Sequence, residues 1–102
     1  DLPDTSDASD PNILTPLEFS IRAFPNPFNP ATTLIVEVSK STNAEILIHD
    51  VLGREVERVD LGRLNPGEHR RVIGNSGWAS GIYFATLQTA TNSRTTKLLL
   101  LR

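Results

Sequence analysis

Residues 32–38 read TTLIVEV, and their apolar side chains fall on alternate positions: Leu34, Val36 and Val38 on one face, Thr33, Ile35 and Glu37 on the other. A period of two belongs to a strand that buries one face against a core. The same beat returns in residues 44–50, AEILIHD, with Ala44, Ile46 and Ile48 inward and Glu45, Leu47 and His49 outward. It returns again in residues 82–89, IYFATLQT, where Tyr83, Ala85 and Leu87 oppose Ile82, Phe84 and Thr86. Working outward, Phe19–Phe24 sets Phe19, Ile21 and Ala23 against Ser20, Arg22 and Phe24 and suits a short strand. Further strands are expected at Arg54–Val59, Glu68–Ile73 and Arg94–Leu101, with Leu61 and Leu64 packing on the way between the first two.

The joints carry turn chemistry. Asp50-Val51-Leu52-Gly53 has Asp at the first and Gly at the fourth position of a type I turn. Asp50 can cap that turn, Arg54 can pair with Asp50, and Gly53 accepts a left-handed conformation without a Cβ penalty. Asn65-Pro66-Gly67 is a strong turn signal, residues 39–43, 74–77 and 90–93 are loops, and Trp78-Ala79-Ser80-Gly81 leads into the strand from Ile82. No stretch of ten residues has helical periodicity. About seven short strands at 8–12-residue spacing predict an all-β protein, an antiparallel β-sandwich.

The 102 residues fit one domain. Leu, Ile, Val and Phe make up 30 of them, above the roughly 20% below which a chain rarely buries enough to fold. Residues 1–18, DLPDTSDASDPNILTPLE, are rich in Asp, Ser, Thr and Pro and read as a linker; residues 19–102 read as the sandwich. The start at Asp1, without Met or an apolar leader, reads as a piece cut from a larger protein. A net charge of −2 argues against a nucleic-acid platform. The longest apolar run, Leu98–Leu101, is far short of the ~18 residues of a transmembrane segment. There is no cysteine, hence no disulfide and no thiol chemistry.

Candidate sites are few. Phe24-Pro25-Asn26-Pro27-Phe28-Asn29-Pro30 is stiffened by three prolines, each of which fixes φ and biases the residue before it toward extended geometry. It reads first as a rigid crossover between sheets, with Phe24 and Phe28 plugging the end of the sandwich. A preformed extended segment also loses little entropy on docking, which makes Pro25, Asn26, Pro27, Phe28, Asn29 and Pro30 candidates for recognition. Leu98–Leu101 breaks the alternation of a solvated strand: Leu98 and Leu100 are expected inward, and Leu99 and Leu101 outward, where a partner could reach them by adding a strand to the edge. Asp4, Asp7 and Asp10 have carboxylate spacing suggestive of Ca²⁺ but lack the Gly and distal Glu of an EF-hand, so they read as solvated linker. His49 and His69 lie on different strands with no nucleophile beside them and read as half-exposed strand residues. Trp78, Tyr83 and Phe84 read as core or corner residues, Tyr83 in particular as the tyrosine that ties a sandwich corner; as exposed aromatics they would instead suit a sugar surface. No nucleophile–base pair or metal cluster converges, so the expectation is a non-catalytic domain without a cofactor.

In order, the landmarks are Phe24–Pro30, Thr33, Ile48–Val56 (IHDVLGREV), Leu64–His69 (LNPGEH), Ala79–Phe84 (ASGIYF) and Thr96–Leu100 (TKLLL). Over about residues 19–102 this resembles the type A C-terminal sorting domain of the type IX (Por) secretion system, a family also similar to the immunoglobulin-like domain of flagellar hook-capping proteins. The resemblance implies an Ig-like sandwich at the end of an exported protein of Gram-negative bacteria, with the passenger domain N-terminal to it. It implies a destination through the periplasm to the outer-membrane surface or the extracellular space. It implies partners too: the secretion machinery, which reads the signal, and a sortase-like protease that removes it and joins the passenger to surface lipopolysaccharide. Lys97 joins Leu98–Leu101 as candidate recognition residues, while Asp50, Gly53, Arg54, Pro66, Gly67, Gly81 and Tyr83 are structural landmarks. Ile73 stands where the family often has Trp and Trp78 where it usually has Leu, so the displaced aromatic is expected to refill the same cavity. Two other readings remain at this stage: an accessory carbohydrate-binding module of a surface hydrolase, and an assembly domain like the hook cap.

Overall fold

The computed structural model describes residues 19–74 and 77–102. Among these, seven strands and no helix are found: β1 (Phe19–Phe24), β2 (Ala31–Val38), β3 (Thr42–Asp50), β4 (Glu55–Leu64), β5 (Gly67–Gly74), β6 (Gly81–Thr89) and β7 (Ser93–Leu100). They form two antiparallel sheets, β1-β2-β5 and β4-β3-β6-β7, packed as an Ig-like sandwich. Residues 1–18, read from the sequence as a linker and including Asp4, Asp7 and Asp10, lie outside the described residues, as do Asn75 and Ser76.

The alternating strands bury the faces their sequences predict. Leu34, Val36 and Val38 of β2 meet Ala44, Ile46 and Ile48 of β3 and Tyr83, Ala85 and Leu87 of β6 in one apolar cluster, with Leu98 and Leu100 of β7 fully enclosed. Ile35 departs from the simple pattern. It points away from this cluster yet is only 5% exposed. Its neighbours across the sheet are Arg22 of β1 and Arg70 of β5, both of which pair with Glu68. Long arginine stems cover apolar surface while their guanidinium heads stay wet.

Strand β4 is longer than its alternation suggests, running to Leu64 rather than Val59. In its pairing with β3, Asp60 faces Glu45 and Gly62 faces Ala44, which leaves Leu61 as the extra residue of a bulge. Gly62 sits at φ 65° and donates its N–H to Asp60 Oδ1 at 2.9 Å. The bulge lets Leu61 and Leu64, three residues apart, both face the core. A strict period-two reading stops there because the bulge resets the period.

Ile73 and Trp78 both belong to the core. Both side chains are buried in the same cluster, and Trp78 stacks on Tyr83 with ring centroids 5.1 Å apart. Tyr83 donates its hydroxyl to the Ala79 carbonyl at 2.6 Å, four residues upstream, and so closes a tyrosine corner.

Truncation at the two enclosed leucines of β7 removes transfer energy and leaves a cavity. Leu98→Ala and Leu100→Ala should each cost about 2–5 kcal/mol. Leu101→Ser, at a position 52% exposed, should stay within about 0.5 kcal/mol. Urea denaturation of the three variants measures the split; equal losses at all three would contradict the burial pattern.

Candidate functional site

The proline segment does not cross between sheets. Strands β1 and β2, which it joins, are hydrogen-bonded neighbours in one sheet. The six residues between them, Pro25–Pro30, are more than a hairpin needs, and the surplus swings outward to the opposite sheet before returning. Its base is held by Thr32, buried to 2% exposure, whose hydroxyl donates to the Pro25 carbonyl at 2.5 Å. Phe28 turns inward and is 2% exposed, so it plugs the sandwich as expected. Phe24 does not. It is the last residue of β1 on the outward parity and is 70% exposed.

The loop lands on the free edge of β7, which brings together the two segments the sequence singles out. Asn26 Nδ2 donates to the Lys97 carbonyl at 2.8 Å, and Asn26 Oδ1 accepts from the Leu99 N–H at 3.0 Å. Phe28 continues the pattern with its backbone: its N–H donates to the Leu99 carbonyl at 2.9 Å, and its carbonyl accepts from the Leu101 N–H at 3.0 Å. Phe28 thus forms a parallel bridge beside Leu100. The Asn26 carboxamide supplies one donor and one acceptor, as a strand residue's backbone would. The edge from Lys97 to Leu101 is therefore already paired, and addition of another strand there, open on the sequence, is closed in this fold. Arg102 fixes the same end from the other side, donating its N–H to Ser80 Oγ at 2.9 Å and Nε to the Trp78 carbonyl at 2.6 Å.

What this arrangement leaves accessible is a set of side chains. Leu98 and Leu100 are fully buried, Leu99 is half-buried, and Lys97 and Leu101 are exposed. Leu99 lies opposite Ile82 and Lys97 opposite Phe84 on β6, and both β6 residues are partly exposed on the same outer face. Pro25, Asn26, Pro27, Asn29 and Pro30 are exposed on the loop beside it. Ile82 and Phe84 both stand in the ASGIYF landmark, but Phe84, expected as a core or corner residue, is instead 36% exposed, because it lies on the outward parity of β6. Only the β6–β7 register puts them next to the terminal leucines.

The remaining landmarks are structural in geometry. Gly53, at φ 84°, closes the β3–β4 turn by donating its N–H to the Asp50 carbonyl at 3.0 Å. Asp50 Oδ1 accepts from the backbone of Leu52 at 2.9 Å and of Arg54 at 3.0 Å, and Oδ2 accepts from Arg54 Nε at 2.9 Å. Pro66 and Gly67 form the β4–β5 turn, and Gly81 opens β6. His49 and His69 are half-buried on β3 and β5 in different sheets, and His69 Nε2 lies 2.7 Å from the Asn65 carbonyl. Among the described residues no three His, Asp or Glu side chains gather to hold a metal, and no helix is long and apolar enough to cross a membrane. Trp78 and Tyr83 present no flat face to a sugar, since both are buried against each other.

Two antiparallel sheets packed as a sandwich are the fold that the sequence resemblance to a sorting domain implies. The family model for the secretion system C-terminal sorting domain matches residues 22–101, and the chain belongs to that family, the sorting domains of type IX secretion. A comparison with curated proteins finds no match.

The Asp50 turn makes a titration test. The Arg54 backbone N–H, joined by the Arg54 guanidinium and the Leu52 N–H, holds the Asp50 carboxyl below the usual carboxylate range, against a smaller opposing effect of burial. A depressed folded-state pKa contributes stability above the unfolded value and loses it as pH falls through the folded one. The carboxyl carbon of Asp50, followed by NMR, should titrate below an ordinary aspartate, and Arg54→Gln should move its midpoint upward. An unchanged midpoint in the variant would leave the backbone donors alone responsible.

Proposed function

We propose that this chain is the non-catalytic C-terminal address of a larger exported protein, recognised by the type IX secretion machinery. On this reading residues 1–18 are the spacer to an N-terminal passenger, and residues 19–102 are the folded signal. The passenger reaches the cell surface or the exterior by way of the periplasm, and a sortase-like protease removes the signal there. The observation that supports it most is the family match over residues 22–101, almost the whole sandwich. The arrangement of β7 supports it further. Lys97 and Leu99 of β7 and Leu101 just beyond it lie outward near Ile82 and Phe84 of β6, a set that offers a partner apolar contact.

The reading predicts sufficiency. Placed after a signal peptide and a fluorescent passenger, the 102-residue chain should deliver that passenger to the surface of a host with the machinery and leave it periplasmic in a host without it. Residues 19–102 alone should do the same if 1–18 only space the two parts. Periplasmic retention in both hosts would overturn the reading.

It also predicts which side chains matter. Leu99→Ser with Leu101→Ser should cost only about 1 kcal/mol of stability while strongly reducing surface delivery. Normal delivery by that folded double variant would remove these two side chains from recognition.

A further inference from the structure

Asn26 stands apart from its neighbours in the proline loop. It is the one side chain of Pro25–Pro30 for which hydrogen bonds to β7 are found, and it makes two, to residues 71 and 73 positions away in the chain. Phe28 reaches β7 through its backbone, and any residue but proline could supply that backbone pairing; the Asn26 carboxamide is specific, because it must donate at Nδ2 to Lys97 and accept at Oδ1 from Leu99. The bonds fall on the backbone of Lys97 and Leu99, two of the outward residues proposed above to meet the secretion machinery. Without Asn26 the edge of β7 would end in an unpaired carbonyl and an unpaired N–H, a template for pairing with other chains.

We infer that Asn26 is a positioning residue: its carboxamide serves as the edge partner of β7, ordering residues 97–101 so that Lys97, Leu99 and Leu101 are presented as side chains on a closed strand, and it takes no part itself in contact with the machinery. The inference rests on the reading of β7 as the recognised strand. It assigns the proline loop a supporting role rather than the docking role its stiffness and exposure suggest. It also fixes the mode of recognition. The partner reads the outer face of β7 and not its backbone edge, because Asn26 and Phe28 already occupy that edge.

Amide hydrogen exchange on the 102-residue chain and surface delivery of the passenger fusion test it together. Asn26→Ala removes both bonds. The Leu99 amide should exchange roughly two- to tenfold faster, the factor one net hydrogen bond is worth, while the amides of Ile46 and Leu87 in the sheet interior keep their rates. Delivery should fall with it. Asn26→Asp keeps the acceptor for Leu99 but, as an ionised carboxylate, cannot donate to Lys97. It should fall between the two in exchange and in delivery, and it serves as the readout if the alanine variant does not fold. Lost delivery with unchanged Leu99 exchange would mean that the partner touches Asn26 directly and would overturn the inference. Faster exchange with normal delivery would overturn it as well. Normal delivery by the Leu99→Ser/Leu101→Ser variant, with delivery still lost in Asn26→Ala, would instead defeat the reading of β7 side chains as the recognised groups.

Discussion

The pairing of Asn26 and Phe28 with the edge of β7 is the contact on which the closed form of the sandwich depends. Four hydrogen bonds join a loop near the start of the domain to its last strand. At about 0.5–1.5 kcal/mol net for each bond, together with about 1.5–3 kcal/mol for burying the Phe28 ring, the contact is comparable with a sizeable share of the ~5–15 kcal/mol that holds a small domain folded. It also removes a hazard. An edge strand that ends in three leucines, with a fourth just beyond it, would otherwise be a site for aggregation.

The opposite side of the same end is fixed by different chemistry. Tyr83 ties itself to Ala79, Trp78 stacks on Tyr83, and Arg102 bonds to Trp78 and Ser80. The tyrosine corner and the proline loop thus flank the last residues of β7. The strand that carries the candidate recognition residues is among the better-anchored parts of the sheet, although it lies at its edge. Rigid presentation favours binding because less freedom is lost when a partner docks.

Much of this was legible in the sequence, and the reasons differ from place to place. The alternation in β2, β3 and β6 and the Asp50–Gly53 turn are local, so the strand faces and the hairpin could be read directly. The inward Leu98 and Leu100 followed from parity alone. The end of β4 was not legible, because a bulge at Gly62 resets the period that the reading relies on. The outward Phe24 was misplaced because hydrophobicity argues for burial wherever it occurs, whereas the parity of β1 puts this ring on the solvent side. The proline loop was read as a crossover because stiffness fixes conformation and not destination. Where the loop lands is set by contacts more than seventy residues distant, and no local signal encodes them. The family resemblance supplied the order of the landmarks, but not the fact that the loop and the last strand meet.

That meeting has a consequence for any recognition of β7. Because Asn26 and Lys97 lie at opposite ends of the domain in sequence, their contact requires both sheets: β1 and β2 must be paired to launch the loop, and β6 must be in place to hold β7. A nascent or partly unfolded chain can form the β6–β7 hairpin, a local pairing, without the loop. It would then carry the same leucines on a strand with an open edge. The closed edge is therefore a property of the assembled sandwich and not of the LLLL sequence by itself. A partner that binds the outer face of β7 and excludes an open edge would distinguish a folded signal from the same residues in an unfolded chain, with no contact beyond the last strand.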